Sequence, residues 1–125
     1  MIEEAYVGFE VAKLLKEKGF NEPCQYFYKF GSNELYKGTV FTNTQIGDIF
    51  YNAPTHQMAM AYLREKYGIF IAINNDDLDF NWQCYDLINR GSTLDPKILS
   101  ESYGGFKHYE DAVEAALKYS LENLI

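Results

Sequence analysis

A chain of 125 residues with 47% apolar and 23% charged side chains has the composition of one folded domain, which excludes a disordered or collagen-like polymer. Eighteen acidic against eleven basic residues give a net charge of −7, a field that repels phosphate backbones and disfavours direct nucleic-acid binding. No apolar run approaches the roughly 20 residues of a membrane span, and the acidic start Met1-Ile2-Glu3-Glu4 is unlike the basic head of a signal peptide; the expectation is a cytoplasmic protein with no membrane association.

The first element is a helix over about Phe9–Lys18, with Val11, Leu14 and Leu15 on one face. Gly19 supplies the left-handed residue that ends it, and Phe20 folds back on the last turn. Cys24–Phe30 is rich in rings and reads as a strand, Gly31-Ser32-Asn33 as a turn, and Glu34–Lys37 as the returning strand. Val40-Phe41-Thr42 has strand character, whereas Asn43–Asp48 has loop composition.

A second helix starts near Ala53-Pro54-Thr55 and runs through Gln57–Tyr67, with Met60, Leu63 and Tyr67 along one stripe and Gly68 as its end. Ile69–Ile73 is a continuous apolar run of strand length, Asn74–Asp77 a turn, and Phe80–Ile88 an alternating strand that places Phe80, Trp82 and Cys84 on one face and Tyr85 on the other. Asn89–Gly105 carries too many breakers for regular structure. A third helix runs over Tyr109 to about Asn123 and buries Val113, Ala116, Leu117, Leu121 and Leu124. The order α-β-β-α-β-β-α predicts a single α+β domain over residues 1–125, with a mostly antiparallel sheet of four to five strands and helices on one face.

All three helices open alike: Gly8-Phe9-Glu10-Val11-Ala12, Thr55-His56-Gln57-Met58-Ala59 and His108-Tyr109-Glu110-Asp111-Ala112. Capping chemistry accounts for the pattern without a true threefold repeat, because the first two starts precede strand pairs and the third closes the chain. His108 stands where Ser or Thr is the usual cap, which makes the third start the weakest.

Phe9-Glu10-x-Ala12, the run Lys16–Cys24, Ala53-Pro54-Thr55-His56-Gln57 with Leu63–Gly68, and Gly105-Phe106 before Tyr109-Glu110-x-Ala112 together resemble a group of small proteins of gut bacteria and their phages or prophages. The likeness spans nearly the whole chain, and Ala-Pro-Thr-x-Gln is its most specific piece. It implies a cytosolic protein with a tie to mobile elements, and it implies no activity.

Chemistry-bearing residues are sparse. His56 and His108 are the only histidines, both at helix starts, where the dipole favours neutral imidazole. Cys24 and Cys84 lie in strands, outside any metal-ligand spacing, as small buried hydrophobes do. Asn75, Asp77 and Asp79 resemble the start of a calcium loop, but Phe80 stands where Gly is needed and the closing Glu is missing. The Lys13-Lys16-Lys18 and Arg64-Lys66 clusters read as solvated helix ends. Neither a cofactor nor a metal is expected.

What stands out is the rings: eleven Tyr, nine Phe and one Trp, 17% of the chain, more than one face of a small sheet can bury. The candidate binding residues are therefore His56 and Gln57 at the second helix start, Trp82 and Tyr85 on the alternating strand, and His108. The leading expectation is a non-enzymatic accessory factor that binds a protein partner. An acidic mimic of nucleic acid that blocks a DNA-handling enzyme is the alternative, and a small enzyme using His56 or His108 is the weakest.

Overall fold

The computed structural model describes residues 4–76, 79–86, 97–101 and 105–125. The chain divides into two compact units, Met1–Gln57 and Met58–Ile125, and each contains one three-stranded antiparallel sheet. The α+β class stands. Among the described residues the expected single sheet of four or five strands is corrected to six strands in two sheets, two of them short and lying in stretches whose composition reads as loop.

In the first unit, α1 (Phe9–Glu17) buries Val11, Ala12 and Leu15. It ends as its sequence demands: Gly19 adopts φ 89°, its N–H donates to Lys16 O, and the Phe20 N–H donates to Leu15 O. These paired bonds satisfy carbonyls that a helix end otherwise strands. Phe20 folds back and is buried.

Strands β1 (Cys24–Lys29) and β2 (Tyr36–Phe41) pair with Phe27 opposite Tyr36 and Cys24 opposite Phe41. Between Tyr26 and Cys24 the partner strand uses two more residues than β1, a bulge that bends β2. The short helix α2 (Asn43–Ile46) follows, then β3 (Phe50–Asn52), so the segment read as loop contains a helical turn. Its start carries a capping box between Thr42 and Gln45, with the Thr42 N–H donating to Gln45 Oε1 at 2.9 Å. That Thr-x-x-Gln signature was readable in the sequence. β3 adds beside β1, giving the order β2-β1-β3.

One face of this sheet turns toward α1. Phe9 meets Tyr28 and Tyr51 edge-on at 6.0 and 5.5 Å, Tyr28 donates to Val7 O at 2.7 Å, and Tyr6 lies 4.5 Å from Tyr26.

Helix α3 (His56–Tyr67) carries the chain from the first unit into the second, with Ala59, Met60 and Leu63 buried. β4 (Ile69–Asp76) and β5 (Asp79–Asp86) form a hairpin in unbroken register from Ile69–Asp86 to Asp76–Asp79. The expected turn at 74–77 is shorter than its composition suggested, since Asn74 and Asn75 still pair across the hairpin. β6 (Lys97–Glu101) adds to β5, within a stretch expected to be irregular; residues 87–96 and 102–104 of that expectation lie outside the described residues.

Helix α4 (Tyr109–Asn123) covers the face of β5 that carries Phe80, Trp82 and Cys84. Trp82 lies 5.2 Å from Tyr119 and Phe80 6.1 Å from Tyr109, while Cys84 Sγ sits 3.3 Å from Ser120 Oγ. Val113, Ala116, Leu117 and Leu121 of the expected stripe are fully buried, together with Ala112, whereas Leu124, expected with them, is the C-cap residue and only half-buried.

Candidate functional site

The face of the first sheet turned away from α1 is built by period two: Phe27 on β1 shares it with Tyr36 and Gly38 on β2 and with Phe50 and Asn52 on β3. Phe27 is the hub. It stacks on Tyr36 at 5.9 Å and meets Phe50 edge-on at 5.4 Å. Gly38 supplies the space, because a Cβ there would stand 2.9 Å from the Phe27 ring. Between this ring cluster, Phe41 and the α2 residue Ile46 lies a groove of about 300 Å³.

The surroundings of that groove are unusually apolar for a protein surface. On β2, Val40 is 60% exposed, Phe41 43% and Tyr36 38%, while Phe30 and Ile49, 63% and 51% exposed, continue the β1–β3 pair at positions that the same alternation puts on the opposite face. Five of the six residues of β2 are exposed, and β2 is an edge strand.

A polar framework holds the groove's floor. Asn43 is buried, donates to Phe20 O at 2.8 Å and accepts from the Asn52 N–H at 2.9 Å. Asn52 in turn donates to Phe41 O at 2.5 Å, which ties β3 to the end of β2. The Thr44 N–H donates to Asn21 Oδ1 at 2.9 Å. Together these bonds fix α2 against the end of α1 and set the groove's wall.

Beside this framework a second cavity, about 360 Å³, is lined by Lys16, Asn21, Thr44 and Asp48 among others. Lys16 donates to Gly47 O and, at 2.7 Å, to Phe50 O, and its ammonium stands 5.2 Å from the centre of the Tyr51 ring. Burial pulls its pKa down, opposed by the charge of Asp48. The expected solvated lysine is therefore a structural clamp, and its position in the last turn of α1 gave no sequence signal of that role. Lys66, by contrast, is exposed in the last turn of α3 as expected, where it donates to Tyr62 Oη at 3.3 Å and lies over the rings of Tyr62 and Tyr67.

The sequence-selected residues are not assembled into one site. His56 is buried at the start of α3, with its N–H donating to Ala5 O, while Gln57 is exposed. Trp82 is buried against α4. Tyr85 lies on the opposite face of the second sheet, 6.4 Å from Phe70, and donates to Gln83 Oε1 at 2.5 Å. His108 caps α4 through its backbone and is exposed; its imidazole makes no capping hydrogen bond. The rings that line the groove, Phe27, Phe41 and Phe50, were counted in the aromatic surplus or passed over, since the bulge and β3 that gather them are tertiary features.

Both thiols are buried and free. Burial, with Glu22 nearby, pushes Cys24 up to about 11, and burial raises Cys84 against the lowering effect of its Ser120 hydrogen bond. An activated nucleophile is shifted in the opposite direction. Among the described residues no three His, Cys, Asp or Glu side chains converge to hold a metal ion; of the calcium-loop residues, Asp77 lies outside them, and Asp79 pairs with Lys107 at 3.6 Å. No described helix is long and apolar enough to cross a membrane. The chain matches no family model, no curated protein and no solved structure.

Proposed function

We propose that the chain is a small protein-interaction factor whose binding surface is the outer face of the first sheet. The observation that carries this reading is the row of exposed apolar side chains on β2, Tyr36, Val40 and Phe41, beside the Phe27 groove. Water solvates such a patch at a cost that a partner surface relieves, at about 25 cal/mol per Å² of apolar area covered. The raised thiols agree with a non-enzymatic role. Two free cysteines support the cytoplasmic setting, and the likeness to phage and gut-bacterial proteins favours a mobile-element context.

The net charge of −7 supports the alternative of a nucleic-acid mimic. Such a mimic needs its acids gathered where the partner binds, and residues 24–52, which form this sheet, carry Lys29 and Lys37 against Glu34 and Asp48. The apolar face is therefore the preferred binding surface. A photo-reactive residue in place of Val40, compared with one in place of the exposed Asn74 of the second sheet, tests the reading in the native host. Discrete adducts from position 40 alone are expected; equal or absent adducts at both would remove the proposal.

A further inference from the structure

We infer that α2 is a releasable wall of the Phe27 groove, latched by Lys16, and that its release joins the groove to the cavity behind it. This rests on the binding-face reading above and deepens it by saying how access to the groove is controlled.

The placement of α2 is that of a partition. Its residues Gln45 and Ile46 line the groove of about 300 Å³. Asn43 and Thr44, with Gly47 and Asp48 that follow, line the cavity of about 360 Å³, whose far side is the end of α1 from Lys16 to Asn21. Both spaces belong to the first unit, and a shift of this one helical turn changes the two of them together.

What seats the partition is weak. A helical turn of four residues does not hold itself, because nucleation costs more than its few hydrogen bonds return. Burial does not hold it either, since Asn43 is its one buried residue and is polar. Hydrogen bonds do the seating: Asn43 donates to Phe20 O and accepts from the Asn52 N–H, Asn21 Oδ1 accepts from the Thr44 N–H, and Lys16 donates to Gly47 O just past the helix end. A segment seated by side-chain hydrogen bonds over little apolar burial opens at a lower free energy than the fold around it. Its surroundings are built differently. Phe20 is fully buried, and the backbone bonds from Ala53 N–H to Tyr26 O and from Phe30 N–H to Ile49 O lock β1 to the chain on either end of β3.

Lys16 is the latch because it holds both the part that moves and a part that stays. Its ammonium donates to Gly47 O, at the end of α2, and at 2.7 Å to Phe50 O of β3. Such bonds from a charged donor are stronger than the neutral ones beside them. Losing them frees the far end of α2 while α1 and the sheet keep their own packing.

Hydrogen exchange followed residue by residue in the intact protein tests this. Four amides report on the wall: Thr44 donates to Asn21 Oδ1, Gln45 and Ile46 to Thr42 O, and Asn52 to Asn43 Oδ1. They are expected to exchange as one group, faster than the sheet amides of Ala53 and Phe30. Lys16→Met keeps the stem and removes the latch; it is expected to speed the four about tenfold, to leave Ala53 and Phe30 unchanged, and to increase binding of the apolar dye anilinonaphthalene sulfonate. Asn21→Ala, at an exposed position, loosens the other end of the wall and should speed the same four. Exchange of the four at the rate of Ala53 overturns the inference, as do rates indifferent to both substitutions or a uniform acceleration of every amide. If the position-40 crosslinker fails while this exchange pattern holds, the binding face falls and the latch stands; adducts at position 40 with exchange indifferent to both substitutions keep the face and remove the latch.

Discussion

Two sheets of equal strand number and opposite surface character share this chain. In each, one face packs under a helix: Phe9 of α1 on Tyr28 and Tyr51, and Tyr119 of α4 on Trp82. The other faces differ. The second sheet's outer face is bound up in its own polar contacts, with Asn74 donating to Gln83, Gln83 to Glu101 and Tyr85 to Gln83. The first sheet's outer face gathers rings around a groove and leaves Val40 and Phe41 bare. Helix cover stabilises both sheets alike, so the residues at alternate positions on the remaining face decide which one meets water and which one meets a partner.

The sharpest test of equal helix cover is to empty each core. Leu15→Ala and Leu117→Ala, both at fully buried positions, are each expected to cost about 3 kcal/mol in denaturant unfolding; a much smaller loss at either would show that one sheet is poorly seated on its helix. Next, Asn43→Ala strips partners from the Phe20 carbonyl and the Asn52 N–H and is expected to cost about 2 kcal/mol.

The thiols extend the comparison to alkaline pH, since each lies in a different unit. Cys24 is raised from 9.0 to about 11, so above pH 9 the unfolded chain loses that proton before the folded one does. The thermal midpoint should therefore fall between pH 9 and 11, and Cys24→Ala should flatten part of that fall. A flat profile in the wild type would contradict the burial of Cys24.

Smaller effects follow at the surface. His108→Ser gives α4 the side-chain cap it lacks and should raise stability by roughly 0.5–1 kcal/mol in chemical unfolding. Gln83→Ala removes three hydrogen bonds against the two lost in Asn43→Ala, but from a half-exposed residue, and should cost under about 0.5 kcal/mol. A loss matching that of Asn43→Ala would erase the distinction between a solvent-facing network and a buried one.

Much of this architecture was legible because helices announce their ends locally. The Gly19 and Gly68 stops, the Tyr109 start and the alternation of Phe80, Trp82 and Cys84 all depend on neighbours within a turn or a strand. β3 and β6 were not legible. Phe50–Asn52 is too short for a period to show, and Lys97–Glu101 sits among breakers, so each is a strand only because β1 or β5 offers a free edge. The candidate site was missed for the same reason: Phe27, Tyr36, Phe41 and Phe50 belong to three strands, and only their register brings them together.

Strand placement also bears on the similar helix starts, two of which precede strand pairs. The third strand joins the first member of the hairpin in one sheet, as β2-β1-β3, and the second member in the other, as β4-β5-β6. Duplication of one unit would have preserved that placement, so shared helix punctuation is the better account of the repeated starts.

Trp82 is the single tryptophan of the chain, sealed at 6% exposure beside Tyr119 within the second unit. Its emission is thus a private optical channel for that half of the molecule. Melting followed at the indole reports the second sheet alone, while far-ultraviolet ellipticity averages both, and any gap between the two curves measures directly how far one half unfolds without the other.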